Sequence, residues 1–343
     1  MTVNEQEVRL ADTQKEKLRN LISGYYDIQK LRISTGNRIV QSFNTQMGQA
    51  PSHSQEEMDK DAEKMIQILR KEYMRITDAY VNGSYVNKNK ETIEVSKNSS
   101  IKKIIDELNK NKEADVVLIK SNLDYDLMST YISLLETEEK TKKIISKEVE
   151  KHPLWDAFFK DVKGCGPLMS AVCISYFDVH KARHVSSFWK YAGLDTVDVE
   201  NEDGTHVREG RSKRHTEIKE YLSKDGTIKE KNSLTYNPIL KTKLLGVLGP
   251  SFLKKPGCKY EQIYRDYRNR LENRSDSDDI TDLHKYRMAN RYMVKQFVRD
   301  LWVCWRGMEG YEISEPYEVA KLGYKPHKYN EAHARAAGYY EEK

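Results

Sequence analysis

The sequence predicts a mainly α-helical protein: long N-terminal helices, a compact centre built as helix, tight hairpin and helix, and one long helix near the C-terminus. Three observations predict it. Apolar residues recur at three- and four-residue steps through most of the first 150 positions, the period of a helix with one buried face. Gly164, Gly166 and Pro167 interrupt the otherwise helical stretch "FFKDVKGCGPLMSAVCISYFD". A second long helical period runs through Leu283, Tyr286, Met293, Phe297, Leu301, Trp302 and Trp305.

Leu10, Leu18, Leu21, Ile22, Tyr25, Ile28, Leu31 and Ile39 predict one helix over about 10–45. "GQAPSHSQEE" ends it, and Ser54 with Glu57 forms a capping box for a second helix over about 55–81. The polar stretch 81–100 is a loop or small hairpin, and a third helix covers about 99–112. Leu123, Leu127, Tyr131, Leu134, Leu135, Ile144 and Val149 carry a helical period over 115–152. Residues 1–152 thus read as a helical scaffold of antiparallel arms, a bundle or a coiled homo-oligomer. Tyr25, Tyr26, Gln29 and Arg32 fit either a functional role or a mixed helix face packed on a partner.

Residues 153–250 form the second domain. Two glycines around one small residue suit a tight turn, because glycine adopts positive φ without a Cβ clash. Pro167 suits the first turn of the following helix, where its missing N–H has no partner to lose. Residues 198–236 read as an extended basic insertion, with Asp225-Gly226 marking the turn of a small β-hairpin near 220–231. Asn237-Pro238 opens another apolar helix. Residues 251–310 carry two C-terminal helices, about 258–272 and 281–308. Asp276, Asp278 and Asp279 cap the second of these, and 311–343 is an irregular tail.

The net charge of +5 is unevenly placed. Between Thr205 and Tyr260 stand 13 Lys and Arg against five Asp and Glu. Such a local excess points to an anionic partner, above all nucleic acid. No apolar run approaches the roughly 20 residues that cross a bilayer, and the first residues lack the apolar core of a signal peptide, so no membrane partner is expected. Cys165, Cys173, Cys258 and Cys304 make no zinc spacing, which fits reduced thiols in a cytoplasmic protein. His180 and His184 share a helical spacing but have no evident third ligand, so neither a metal nor another cofactor is expected.

The stretch "VKGCGPLMSAVCISYFDVHKARHVSSFWKYAGLD" resembles the C-terminal domain of pilin-invertase-like insertion-sequence transposases, the group that includes the bridge-RNA-guided recombinases. The family's run maps onto Val162, Gly164–Pro167, Ser170–Ala171, Asp178, Val185–Trp189 and Tyr191–Leu194. "EGRSKRH" (209–215) resembles its basic element, and "YNPILKTKLLGVLG" (236–249) its following helix. The resemblance covers roughly 160–250 and implies a helix-hairpin-helix domain that binds DNA. It departs in two places. Residues 1–50 read as helix where the family has a RuvC-like strand with an acidic metal ligand. No serine lies between "YAGLD" and Ser212, where the family has its nucleophile.

The expected function is DNA binding by a transposase-like protein of a phage or mobile element, with structured RNA as a second possible target. In a helix-hairpin-helix, backbone amides at Gly164, Cys165 and Gly166 approach a phosphate, aided by the positive end of the next helix. Lys163, Arg208, Arg211, Lys213, Arg214, Lys241 and Lys243 supply charge, and the lysines of 213–231 are further candidates for phosphate contact. Two alternatives stay open. One is an active recombinase using Ser212 or Thr205 with Mg²⁺. The other is a phage assembly or host-interaction protein in which the hairpin is structural.

Overall fold

The computed structural model describes residues 3–46, 60–86, 89–95, 103, 122–200, 204–274 and 279–314. The fold is mainly helical, with a long N-terminal helix and small antiparallel hairpins. Helix α1 is Val3–Gln46, α2 Lys60–Asn82 and α3 Asn122–Val149. The expected helix over 99–112 and the Ser54–Glu57 capping box lie outside the described residues, residue 103 apart. Two compact units divide the chain: residues 23–144, and residues 1–22 with 145–343. Among the described residues no helix is long and apolar enough to cross a membrane.

In the unit 23–144, α2 leads into the hairpin β1 (Ser84–Val86) and β2 (Thr92–Glu94). Ile39, Phe43, Ile76, Ala79, Tyr85, Val95, Met128 and Ile132 form its core. The apolar period expected for α1 holds at Tyr25 and Ile39, which are buried, whereas in α3 the buried Met128 and Ile132 lie one residue past the expected Leu127 and Tyr131. Leu31, Leu123 and Ile144 are exposed. The position expected for Leu31 on the α1 seam belongs instead to Gln29 and Arg32, which turn inward toward Glu138 of α3. Arg32 Nε and Gln29 Nε2 donate to the Glu138 carboxylate, and Arg32 Nη1 donates to the Tyr131 hydroxyl at 3.0 Å. Burial would raise the Glu138 carboxyl, but these hydrogen bonds hold it below the usual range. The mixed face read from the sequence is thus the polar seam of a helix pair.

The other unit is built on α10 (Asp282–Met308), which packs against α6 (Val185–Tyr191), α8 (Gly249–Leu253) and α9 (Lys259–Glu272). Phe297, Leu301 and Trp302 are buried along α10, and Phe252, Tyr260 and Phe297 cluster with ring centroids 4.8–5.5 Å apart. Leu283, expected on the buried face, is exposed. Thr281 itself is the N-cap of α10, its hydroxyl accepting from the His284 amide at 3.3 Å. This corrects the expectation that the acidic loop does the capping. Asp276 and Asp278 lie outside the described residues.

The segment before Gly164 is shorter than the expected helix. It holds α4 (Pro153–Ala157) and one 3₁₀ turn, Phe159–Asp161. Helix α5 (Pro167–Tyr176) then starts with Pro167 in its first turn, as expected. The basic insertion is more ordered than the sequence suggested. It forms two antiparallel hairpins: β3 (Thr196–Glu200) with β4 (His206–Gly210), and β5 (Thr216–Leu222) with β6 (Ile228–Leu234). Asn237 caps α7 (Pro238–Lys243) by accepting from the Leu240 amide. A π-helical turn, Leu244–Leu248, joins α7 to α8, and Asn290 Nδ2 donates to the Leu245 carbonyl within it at 2.9 Å.

Candidate nucleic-acid interface

The glycine turn has an inner and an outer side. Gly164 has φ +93°, and a Cβ there would lie 3.0 Å from Phe252 Cδ1 and 3.2 Å from the Ser251 carbonyl oxygen. Ser251 Oγ donates to the Gly164 carbonyl at 2.8 Å. The Cys165 amide donates to the Val162 carbonyl. Its side chain is buried, and burial pushes the thiol up to about 12. Gly164 therefore faces α8, and Cys165 is buried with its amide already bonded. Gly166 differs from the expectation of positive φ: it is the N-cap of α5 at φ −76° and ψ 174°, with nothing within 4 Å of an added Cβ. Lys163 and Gly166 form the exposed side of the turn.

The three motifs that carry the family resemblance meet in space. The loop Tyr191–Asp195 contacts both later pieces. Gly193, at φ +64°, brings its Cα so close to Tyr236 that a Cβ would lie 2.6 Å from the ring. The Asn237 amide donates to the Tyr191 carbonyl at 2.8 Å. The Asp195 carboxylate accepts two parallel bonds from Arg211, at 2.7 and 2.8 Å. Arg211 also donates to the Thr235 hydroxyl, and Lys241 Nζ donates to the Arg211 carbonyl. From α10, Arg291 Nη1 donates to the Asp195 carbonyl at 3.2 Å. Gly210 leaves room for that guanidinium, since a Cβ there would lie 2.6 Å from Arg291 Nη1.

The electrostatics follow from this crowding. The Asp195 hydrogen bonds raise the Arg211 guanidinium further. Burial, together with Arg291 and Arg211, pushes the Lys241 ammonium down to about 8. Burial alone lowers Lys243. Of the cations expected at a phosphate, Arg211 is 8% exposed and held by Asp195, and Lys241 is turned inward. Arg208, Lys213 and Arg214 are exposed, Arg208 lying 3.6 Å from Asp198 and Arg214 2.6 Å from Glu209. Arg291 was missed from the sequence, because nothing near it in the chain hints at a partner 96 residues away.

Ser212 lies beside an imidazole. His215 Nδ1 accepts from the Ser212 amide at 2.9 Å and sits 3.2 Å from Ser212 Oγ. Its Nε2 lies 3.1 Å from Glu209 Oε1. The amide bond places the ring proton on Nε2, where it donates to Glu209. The hydroxyl thus has a base within reach, although that nitrogen's lone pair already receives the amide. Neither His215 nor Glu209 stood out in the sequence. Thr205 is exposed just before β4. His180 and His184 instead pair with Tyr311 and Ser314, at 2.9 and 3.1 Å.

The second hairpin stands in solvent along the whole of β5. Its register sets Lys219 opposite Lys231 and Tyr221 opposite Lys229 on one face. Glu220 opposite Glu230 shares the other face with Ile218, Leu222 and Ile228. Lys231 Nζ lies 5.0 Å from the Tyr221 ring centroid. The turn is the expected one: Gly226 has φ +80°, and Asp225 accepts from the Thr227 amide at 3.1 Å.

Comparison with protein-family models, curated proteins and solved structures gives no match for this chain.

Proposed function

We propose that the chain binds DNA as a transposase-like protein of a phage or mobile element, with the basic insertion as its main contact surface. The observation that carries this reading is the exposed, lysine-rich face of the β5–β6 ribbon. Like charges directly opposite each other across a strand pair are unfavourable, and an isolated two-stranded hairpin is marginal in water. Lys219 opposite Lys231, with Lys229 and Tyr221 beside them, makes a face that suits a polyanion, which would compete with the exposed ion pairs of Lys219 with Glu217 and Lys229 with Asp225, at 2.9 and 2.8 Å. A two-stranded ribbon also fits the DNA major groove. Lys163 and the Gly166 end of α5 would add contacts on the helix-hairpin-helix side, and Arg208, Lys213 and Arg214 between the hairpins. The order of motifs shared with the transposases supports the same reading.

Fluorescence anisotropy with a labelled duplex tests it. About five neutralised phosphates give a slope of log K against log salt of roughly −4 to −5. Affinity should then fall roughly 250- to 1,000-fold between 50 and 200 mM salt. Binding that is absent at low salt, or insensitive to salt, overturns the proposal. Tighter binding to structured RNA under the same conditions replaces DNA as the target.

Ser212 beside His215 favours a second reading, a recombinase. Phosphoryl transfer needs an activated nucleophile and groups that stabilise charge on the phosphate. Here the His215 lone pair is shared with an amide. The purified chain is therefore expected to leave supercoiled plasmid intact with Mg²⁺ or Mn²⁺. Nicking that Ser212→Ala abolishes would establish the recombinase instead.

A further inference from the structure

We propose that Arg291 and Lys241, beside the Asp195–Arg211 pair, form a binding site for a single phosphate group. The inference does not depend on the hairpin lysines and concerns a different place in the unit. Three cations gather at the Asp195 loop: Arg211 on its carboxylate, Arg291 on its main-chain carbonyl, and Lys241 on the Arg211 carbonyl. Glu217 acts on Arg211 only at longer range, and is itself paired with Lys219 at 2.9 Å.

The geometry leaves donors to spare. Arg291 makes one hydrogen bond among the described residues, to a main-chain carbonyl, and no ion pair with a carboxylate. A guanidinium carries five N–H donors and cannot shed its charge. Arg291 is half-buried, and the carboxylate nearest to it, Asp195, is already engaged by Arg211. Lys241 makes one hydrogen bond, to the Arg211 carbonyl, and lies 4.7 Å from the Tyr236 ring centroid. Its ammonium is pushed down to about 8 by burial and by the two arginines, the response of a cation with too little negative charge nearby. Arg211 contributes charge while Asp195 fixes its plane.

Gly193 and Gly210 let Tyr236, Lys241 and Arg291 pack directly against the backbone, where a Cβ would collide with them; this close approach holds the lysine and the arginine at the Asp195 loop. A tetrahedral oxyanion accepts from a guanidinium fork and an ammonium together. A nucleic-acid phosphodiester and a free phosphorylated small molecule share this chemistry.

Thermal unfolding of the full chain tests the site, with inorganic phosphate as probe against sodium chloride at equal ionic strength. Wild type should be stabilised saturably by phosphate. Arg291→Gln and Lys241→Gln should each weaken the apparent phosphate affinity about tenfold or more, since each removes a charge-assisted bond. The general stabilising effect of phosphate on folded proteins is common to all three and drops out of the comparison. If Arg291→Gln does not fold, Lys241→Gln carries the same comparison. An equal phosphate response in wild type and variant, or no response in wild type, overturns the site. Competition between inorganic phosphate and duplex DNA that is lost in the variant identifies a nucleic-acid phosphate as the natural ligand. Phosphate stabilisation without such competition identifies a free phosphorylated compound, and both outcomes support the site. DNA binding without any phosphate effect sinks this inference while leaving the DNA-binding proposal standing.

Discussion

Arg211→Ala is expected to destabilise the protein by about 3 kcal/mol, measured by urea or thermal unfolding. The side chain is 8% exposed and makes the paired bonds to Asp195 at 2.7 and 2.8 Å. Truncation strands a half-buried carboxylate and the Thr235 hydroxyl together. The Asp195 side chain keeps 21% of its surface exposed, so water partly solvates it, which keeps the loss near the low end of the roughly 3–5 kcal/mol typical of broken buried pairs. At about 2–4 °C per kcal/mol for a unit of this size, the midpoint should fall by roughly 6–12 °C. Arg211→Lys should recover only part of this, because a point charge cannot reproduce two parallel bonds. A loss below about 1 kcal/mol would show that the pair is a surface contact in energetic terms.

Gly164→Val is the second large effect, a loss of about 2–4 kcal/mol. A β-branched residue at φ +93° is strained by about 1–3 kcal/mol. In addition, the new Cβ would press on Phe252 Cδ1 at 3.0 Å and on the α8 backbone. Phe252 is fully buried within the ring cluster, so it cannot move aside cheaply. Gly166→Val is the informative contrast. Gly166 has an ordinary φ and open space around it, so its replacement should cost under about 1 kcal/mol, the scale of a poor N-cap. Weakened DNA affinity in a stable Gly166→Val would place the turn at the phosphate backbone. Unchanged affinity would assign the turn to packing alone.

The two glycines illustrate what a sequence can and cannot tell. The pattern G-x-G-P announced a turn followed by a helix, and both are there. It could not say which glycine needs the left-handed region, because Phe252 imposes that from 88 positions away. The same division holds elsewhere. Asn237-Pro238 as cap and first turn, Asp225-Gly226 as hairpin tip, and the long period of α10 were all legible. The first hairpin, β3–β4, was missed although β3 alternates Val197 and Val199 with polar residues; five residues are a short signal, and β4 carries no such alternation.

For the candidate site, the sequence marked the right pieces but not their roles. Arg211 and Lys241 stood out as charges in a basic stretch. In the structure one is clamped by Asp195 and the other leans on the Arg211 carbonyl. Tyr25, Gln29 and Arg32 looked like either a site or a seam, and Glu138 of α3 makes them a seam.

By itself, then, the sequence determined the helical class, the Asn237 cap and the Asp225-Gly226 turn, and the basic character of 205–260. Each of these depends on interactions within about four residues, or on composition. The tertiary structure alone decided the one-residue offset of the α3 stripe, the inward face of Gly164 and Cys165, and the meeting of Asp195, Arg211, Lys241 and Arg291. These depend on contacts between residues 16 to 96 positions apart, whose partners are selected by packing and by the need to neutralise buried charge, neither of which leaves a local trace in the chain.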